Sequence, residues 1–135
     1  DVGTLSSYWN ANMDTLGEDP KLWLNDDGWR VYYRHDFHSP TYLGEHASLH
    51  NCNCAAGNEI DGTVSDSVLG SNITIEEGAV VKDSVIMSNV TIEKGASVEY
   101  AILDRDVHIH AGAKVGGDRE TSELTVIAAG KEVLK

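Results

Sequence analysis

Two groups of side chains in this chain are of types that could do chemistry. His108 and His110 flank Ile109; on a strand, both imidazoles would leave on the same side, and paired imidazoles can hold a metal ion. Two ligands make a weak site, and no Cys or carboxylate follows at a zinc-like spacing, so solvated strand histidines are the better reading. His50, Cys52 and Cys54 form a second trio. A bridge between cysteines one residue apart would close a tiny strained loop, and there is no third Cys. Cys54 falls on a core aliphatic position and Cys52 on a small-residue position, which reads as buried structural thiols. No Gly-rich phosphate loop, nucleophile elbow or two-His-one-Glu zinc motif is present.

The element that must position these residues is a repeat. Residues 69–85 read LGSNITIEEGAVVKDSV, 86–102 IMSNVTIEKGASVEYAI and 103–119 LDRDVHIHAGAKVGGDR, an offset of 17 each time. Aliphatics fall at Leu69, Ile75, Val81, Ile86, Ile92, Val98, Leu103, Ile109 and Val115, with spacings of 6, 6 and 5. That period fits neither a helix nor a single strand. It fits one short strand and one corner per hexapeptide, with three faces closing a coil. The residue two before each aliphatic also points inward, and Ile73, Ala79, Ser84, Val90, Ala96, Ala101, Val107 and Ala113 are small or branched enough for a narrow interior. Glu76, Lys82, Glu93 and Lys94 point out. The expected fold is mainly β, a parallel β-helix. Leu43, Leu49, Cys54, Ile60 and Val64 extend it backwards, with a shortened or looped coil around 54–64. Asn72-Ile73-Thr74 and Asn89-Val90-Thr91 formally match a glycosylation acceptor, but they recur at one place in the repeat and read as Asn in a turn.

Composition agrees. There are 31 Val, Ile and Leu against a single Phe, the aliphatic core that a coil too narrow for rings requires. Ten Lys and Arg face 22 Asp and Glu, a net charge of -12, which repels phosphate backbones and anionic lipid, so neither nucleic acid nor a membrane surface is an expected partner. No apolar run approaches the ~20 residues of a membrane span and no signal-peptide pattern opens the sequence. With two unpaired cysteines, a reducing cytoplasm is the expected compartment.

Flanking the repeat, Leu5, Trp9, Met13 and Leu16, with Thr4 to cap and Gly17 to stop, predict a helix over 4–16. Alternation in WRVYYR predicts a strand over 29–34. Residues 116–123 read as a polar loop, 124–129 as a strand, and Lys131 to Lys135 as a tail that could turn helical.

Asp1-Val2-Gly3-Thr4 running into a helix with Tyr8, Trp9 and Asn10-Ala11-Asn12-Met13-Asp14, then Trp29-Arg30-Val31-Tyr32, then hexapeptides, resembles the C-terminal part of the glucose-1-phosphate adenylyltransferase family. The resemblance implies a left-handed β-helix at 41–135, with 1–40 the end of a nucleotidyltransferase domain and linker. It implies an intact enzyme that makes ADP-glucose and pyrophosphate from ATP and α-glucose 1-phosphate with Mg²⁺, for glycogen synthesis. Asp1 would help hold that metal, a hard oxygen ligand suited to Mg²⁺. The β-helix would carry subunit contacts in a homotetramer, lie beside its own N-terminal catalytic domain, and bind a sugar-phosphate effector. Arg105 matches the family's basic residue in the β-helix, and Lys131 and Lys135 its tail pair, with Lys in place of the usual Arg. A helical tail would put those two on one face; Arg119, in the polar loop, is a weaker candidate. The piece alone would be inactive. Two other readings stand beside this one: a hexapeptide-repeat acyltransferase or carbonic-anhydrase-like trimer with His at its seams, and a non-catalytic regulatory paralogue. The first leaves DVGT, the 4–16 helix and Trp29–Tyr32 unexplained; DVGT, a catalytic carboxylate motif, disfavours the second.

Overall fold

The structure is a computed structural model that describes residues 3–22 and 38–135. Asp1 and the strand expected over 29–34 lie outside the described residues. The first element is α1 (Leu5–Met13). The strands then run β1 (Tyr42–Leu43), β2 (Ser48–Cys54), β3 (Glu59–Ile60), β4 (Thr63–Leu69), β5 (Thr74–Ile75), β6 (Val80–Lys82) and β7 (Val85–Ile86). They continue as β8 (Thr91–Ile92), β9 (Ser97–Glu99), β10 (Ala101–Leu103), β11 (His108–Ile109), β12 (Lys114–Gly116), β13 (Thr125–Ile127) and β14 (Glu132–Val133).

Every described strand pair is parallel, and each strand pairs with the strand one coil away. One face stacks β1-β3-β5-β8-β11-β14. A second stacks β4, β6, β9 and β12, and a third β4, β7, β10 and β13, the long β2 and β4 running round the corner between them. The register pairs Ile75 with Ile92 and Ile92 with Ile109, Val81 with Val98 and Val98 with Val115, and Leu69 with Ile86 and Ile86 with Leu103. These are the 17-residue steps read from the sequence. All nine predicted aliphatics and all eight residues two before them are buried.

The corners explain the rest of the repeat. A coil this tight must turn three times, and in the regular coils from Thr63 to Val115 each turn uses one residue at positive φ. Two corners take short polar residues that tolerate it: Asn72, Asn89 and Asp106 at one, Asp66 and Asp83 at the other. The third takes glycine, as at Gly78, Gly95 and Gly112. Tyr100 stands where Asp83 stands a coil earlier, at φ 50, and its ring meets Trp9 edge-on with centroids 5.0 Å apart. Inside the second corner the Ser84 hydroxyl donates to Lys82 O at 2.7 Å and accepts from the Ala101 N–H at 3.2 Å. Its equivalent Ser67 accepts from the Ser84 N–H at 3.1 Å. These inward hydroxyls therefore tie successive coils together rather than leaving a buried polar group unpaired.

The irregular coil is a shortened one. Leu49 pairs with Val64, 15 residues on, while Val64 pairs with Val81, 17 on. The missing pair lies between Ile60 and Val64, where Asp61-Gly62 replaces a longer corner. The tightening brings Gly62 against the next coil: a Cβ there would stand 2.6 Å from Ala79 O and 2.9 Å from Glu76 O. Asn58, wholly buried, secures the same coil by accepting from the Ile73 N–H at 2.8 Å and donating to Gly70 O at 2.9 Å.

Four expectations need correction. Leu43 and Cys54 keep the inward register but are exposed, because they belong to the first coil and no coil lies beneath it among the described residues. Cys52 is half-buried and packs against the core, so only one thiol is a core residue; Cys54, exposed as a residue, still has a thiol pushed up to about 11 by partial desolvation and then by neighbouring Cys52. The tail is not helical: Glu132–Val133 pair with His108–Ile109. The helix is shorter than 4–16. Thr4 caps it, its hydroxyl accepting from the Ser7 N–H at 3.0 Å, but of its expected apolar stripe only Trp9 is buried and Leu5 is 57% exposed.

The helix docks through Trp9 because one outer face is apolar. Val68, Val85, Ile102 and Val126 stack outward along the third face. Trp9 buries Val85 and Ile102, with Tyr8, Met13, Tyr100 and Leu124 around them, and its indole N–H donates to Asp83 O at 2.8 Å. Asn53 fastens the far end through Thr15, donating to its hydroxyl at 2.8 Å. The seven residues added in the 116–123 region lengthen the step from Ile102 to Val126 to 24 without breaking the stack. Gly62→Ala is expected to lower stability by about 1–3 kcal/mol, the range for forcing atoms into a packed site, in urea unfolding; a variant as stable as the parent would contradict the shortened corner.

Candidate functional site

Arg105 lies on the corner between β10 and β11. The Asp104 carboxylate accepts from the Arg105 N–H at 2.7 Å, and Asp106 makes the turn at φ 63. The last coil stacks on this corner, with the Gly130 N–H donating to Arg105 O at 2.9 Å. Lys131 comes next and its carbonyl accepts from the His108 N–H at 3.0 Å. The backbone thus sets Arg105 and Lys131 at one corner of adjacent coils, and both side chains are exposed. Lys135 does not join them. It lies past β14, and four extended residues at ~3.3 Å each put it about 13 Å along the face from Lys131. There its Cε is 4.0 Å from where a Cβ on Gly112 would stand. Arg119, the weaker candidate, lies over the Trp9 ring, 4.8 Å from its centroid, a cation–π contact that helps hold the helix.

Arg105 also borders a cleft of about 310 Å³ between α1 and the coil, lined by Tyr8, Asn12, Met87 and Ser88 among others. A cleft of about 480 Å³ at the other end of the stack is lined by Glu45, Glu59, Asp61, Glu76 and Glu77, against only His46 and Lys94. Its acidic wall disfavours an anion, so of the two clefts the Arg105 one is the electrostatically suitable place for a phosphate.

The two strand histidines are not simply solvated. Their rings stack 4.2 Å apart at 7°, facing one side of β11 as the sequence pattern requires. Glu93, from the coil below, meets both: Oε1 is 2.9 Å from His108 Nε2 and Oε2 is 3.6 Å from His110 Nδ1. Glu132, from the coil above, puts Oε1 3.2 Å from His110 Nε2. The Ala111 N–H donates to Glu93 Oε2 at 2.7 Å. The hydrogen bond from His108, then that from Ala111, holds the Glu93 carboxyl below its ordinary value of 4.5. Sequence reading missed these carboxylates because it searched near the histidines along the chain. The 17-residue offset was the available signal: it puts Glu93 directly beneath His110.

Residues 40–131 match the family model described as GlmU-like, C-terminal hexapeptide. The chain belongs to this family. It is also homologous to the C-terminal part of glucose-1-phosphate adenylyltransferase. The enzymes so named from Bacillus mycoides (strain KBAB4), Bacillus cereus (strain ATCC 10987 / NRS 248) and Bacillus anthracis are each 42% identical to it over 81 residues. That stretch is 60% of this chain and 22% of each relative, so the chain spans about a fifth of the length of the curated relatives it matches. Among the described residues, no helix is long and apolar enough to cross a membrane.

Because the Glu93 carboxyl is depressed in the folded state, its contribution is present above the unfolded value and is lost as pH falls through the folded one. Between about pH 5 and 3, the melting temperature of the parent is expected to fall more steeply than that of Glu93→Gln. Parallel pH profiles would show that the contacts to Glu93 contribute nothing to stability.

Proposed function

We propose that this chain is the C-terminal regulatory and oligomerisation domain of an enzyme that makes ADP-glucose from ATP and α-glucose 1-phosphate for glycogen synthesis. The observation that carries the reading is the 42% identity to enzymes named glucose-1-phosphate adenylyltransferase. In this reading the adenylyl transfer belongs to an N-terminal catalytic domain, and the 135 residues alone form no ADP-glucose. Mg²⁺ would serve that centre, bridging and neutralising phosphate oxygens; the residue assigned to it, Asp1, lies outside the described residues, and no step is derived through the metal. The intact enzyme acts as a cytoplasmic homotetramer, with the β-helix supplying subunit contacts.

The regulatory part of the reading rests on Arg105, Lys131 and Lys135 as contacts for a sugar-phosphate effector. Arg105 and Lys131, on one corner of adjacent coils, offer two cations to one phosphate, Arg as a fork and Lys as a point charge. Lys135, at the far side of the face, would reach a second phosphate or only the periphery of the first. In a chain with net charge -12, such a corner binds an anion only through close hydrogen-bonded contacts, since the wider field opposes it.

The test uses the full-length enzyme carrying this domain, assayed for ADP-glucose with and without a sugar phosphate or sugar bisphosphate. Arg105→Gln and Lys131→Gln are each expected to raise the effector concentration for half-activation about tenfold, as loss of a charged hydrogen bond does, and Lys135→Gln by less. Unchanged activation in the triple variant rejects the effector site. A full-length protein that forms no ADP-glucose rejects the enzyme reading and favours a non-catalytic paralogue.

A further inference from the structure

Glu93, His108 and His110 present donor atoms that all lie within 4.8 Å of one another. Two are imidazole nitrogens and one is a carboxylate oxygen, the donor set of borderline divalent metals. A tetrahedral ion bound at ~2.0–2.2 Å needs donors about 3.3 Å apart. Glu93 Oε1 is 2.9 Å from His108 Nε2 and Glu93 Oε2 is 3.6 Å from His110 Nδ1, close to that separation, while the two stacked rings must tilt apart for both lone pairs to converge on one ion. The geometry points to a divalent-metal site on the outer face of the coil, with His108 Nε2, His110 Nδ1 and the Glu93 carboxylate as ligands and water completing the shell.

The surroundings are those a metal site needs. His110 Nε2, the nitrogen turned away from Glu93, is 3.2 Å from Glu132 Oε1. A metal-bound imidazole commonly gives its other N–H to a carboxylate, which fixes the tautomer and ring orientation. The Ala111 N–H fixes Glu93 in the same way. Glu132 is thus a positioning residue rather than a ligand. Both imidazoles leave one short strand at alternate positions, so their separation is set by the backbone and little side-chain entropy is lost on ligation.

The nitrogen content selects Zn²⁺, Ni²⁺ or Cu²⁺ over Mg²⁺, which separates this site from any catalytic magnesium and makes it independent of the proposed enzyme activity. The ligands and their positioning carboxylate come from three successive coils, through β8, β11 and β14. A bound ion therefore clamps the last coil to the two beneath it and stabilises the folded chain by linkage.

The test is a titration of the untagged, chelator-treated 135-residue chain with Zn²⁺, followed by calorimetry and thermal unfolding. One equivalent is expected to bind saturably and raise the melting temperature, while Mg²⁺ at the same concentration does neither. Glu132→Gln is expected to weaken Zn²⁺ binding about tenfold. The double variant His108→Ala/His110→Ala, whose side chains lie outside the core, is expected to stay folded, to melt somewhat below the metal-free parent because the contacts to Glu93 are lost, and to gain nothing from Zn²⁺. Cys52→Ser/Cys54→Ser retains the site, and Cu²⁺ in the parent gives a paramagnetic spectrum with two nitrogen couplings. Absence of saturable binding, binding that survives loss of both histidines, binding lost with the cysteines, or an equal response to Mg²⁺ would overturn the assignment.

Discussion

Each backbone N–H on a β-helix face must find its carbonyl on the neighbouring coil, about 4.8 Å away, and the whole molecule follows from that demand. To present matching strands, successive coils must repeat their length and turn at the same three places. The turns call for left-handed backbone, so Asn, Asp and Gly recur at 72, 89, 106, at 66, 83, and at 78, 95, 112. The interior admits one side-chain size per position, so Ile75, Ile92 and Ile109 stack in line. Two deviations are tolerated because each leaves the stacking intact: a short corner made possible by Gly62, and the loop at 116–123 that leaves the flanking strands in register. With the inside filled, chemistry can live only on outward strand positions and on corners, which is where Arg105, Lys131, Glu93, His108 and His110 lie.

The coil was legible in the sequence because its determinants are periodic. Aliphatics at 6, 6, 5 and small residues two before them describe the interior directly, and even the shortened coil showed as a lapse near 54–64. What failed depends on the ends or on neighbours distant in the chain. Leu43 and Cys54 obey the pattern yet stay exposed, since an inward position is buried only when coils flank it. The tail's Lys131 and Lys135 suggested a helix from local spacing. Pairing with β11 won because an open parallel edge leaves a row of backbone groups unpaired. Trp9 was visible as a helix residue, but its seat needs the outward ladder Val68, Val85, Ile102, which appears only when the repeat is folded and read across coils. The same holds for Glu93 beneath His110.

Two outer features therefore share the C-terminal coils. At one corner Arg105 and Lys131 stand together; beside it, His108 and His110 reach down to Glu93 and up to Glu132. They are joined through the backbone, since the carbonyl of Lys131 accepts the His108 N–H. Helix α1 instead lies along one outer face, held by the Trp9 indole, the Tyr100 edge and the Arg119 guanidinium, and the opposite end of the stack carries an acidic cleft near His46. The charge of -12 is thus spread over a surface whose cations are few and specifically placed. A scaffold of this kind holds such groups at fixed separations because neither face nor corner can shift without breaking coil-to-coil bonds.

Native-state amide exchange, read residue by residue, tests the stacking claim most directly. The amides of Thr74 and Thr91, which donate to Val90 O and Val107 O on the next coil, have coils on both sides. They are predicted to be the slowest, exchanging only through opening of the central stack. Protection should fall toward Tyr42 at one end and His108 at the other, and be lower again in α1. Strongest protection in α1, or fast exchange at Thr74 and Thr91, would contradict a molecule held together coil by coil.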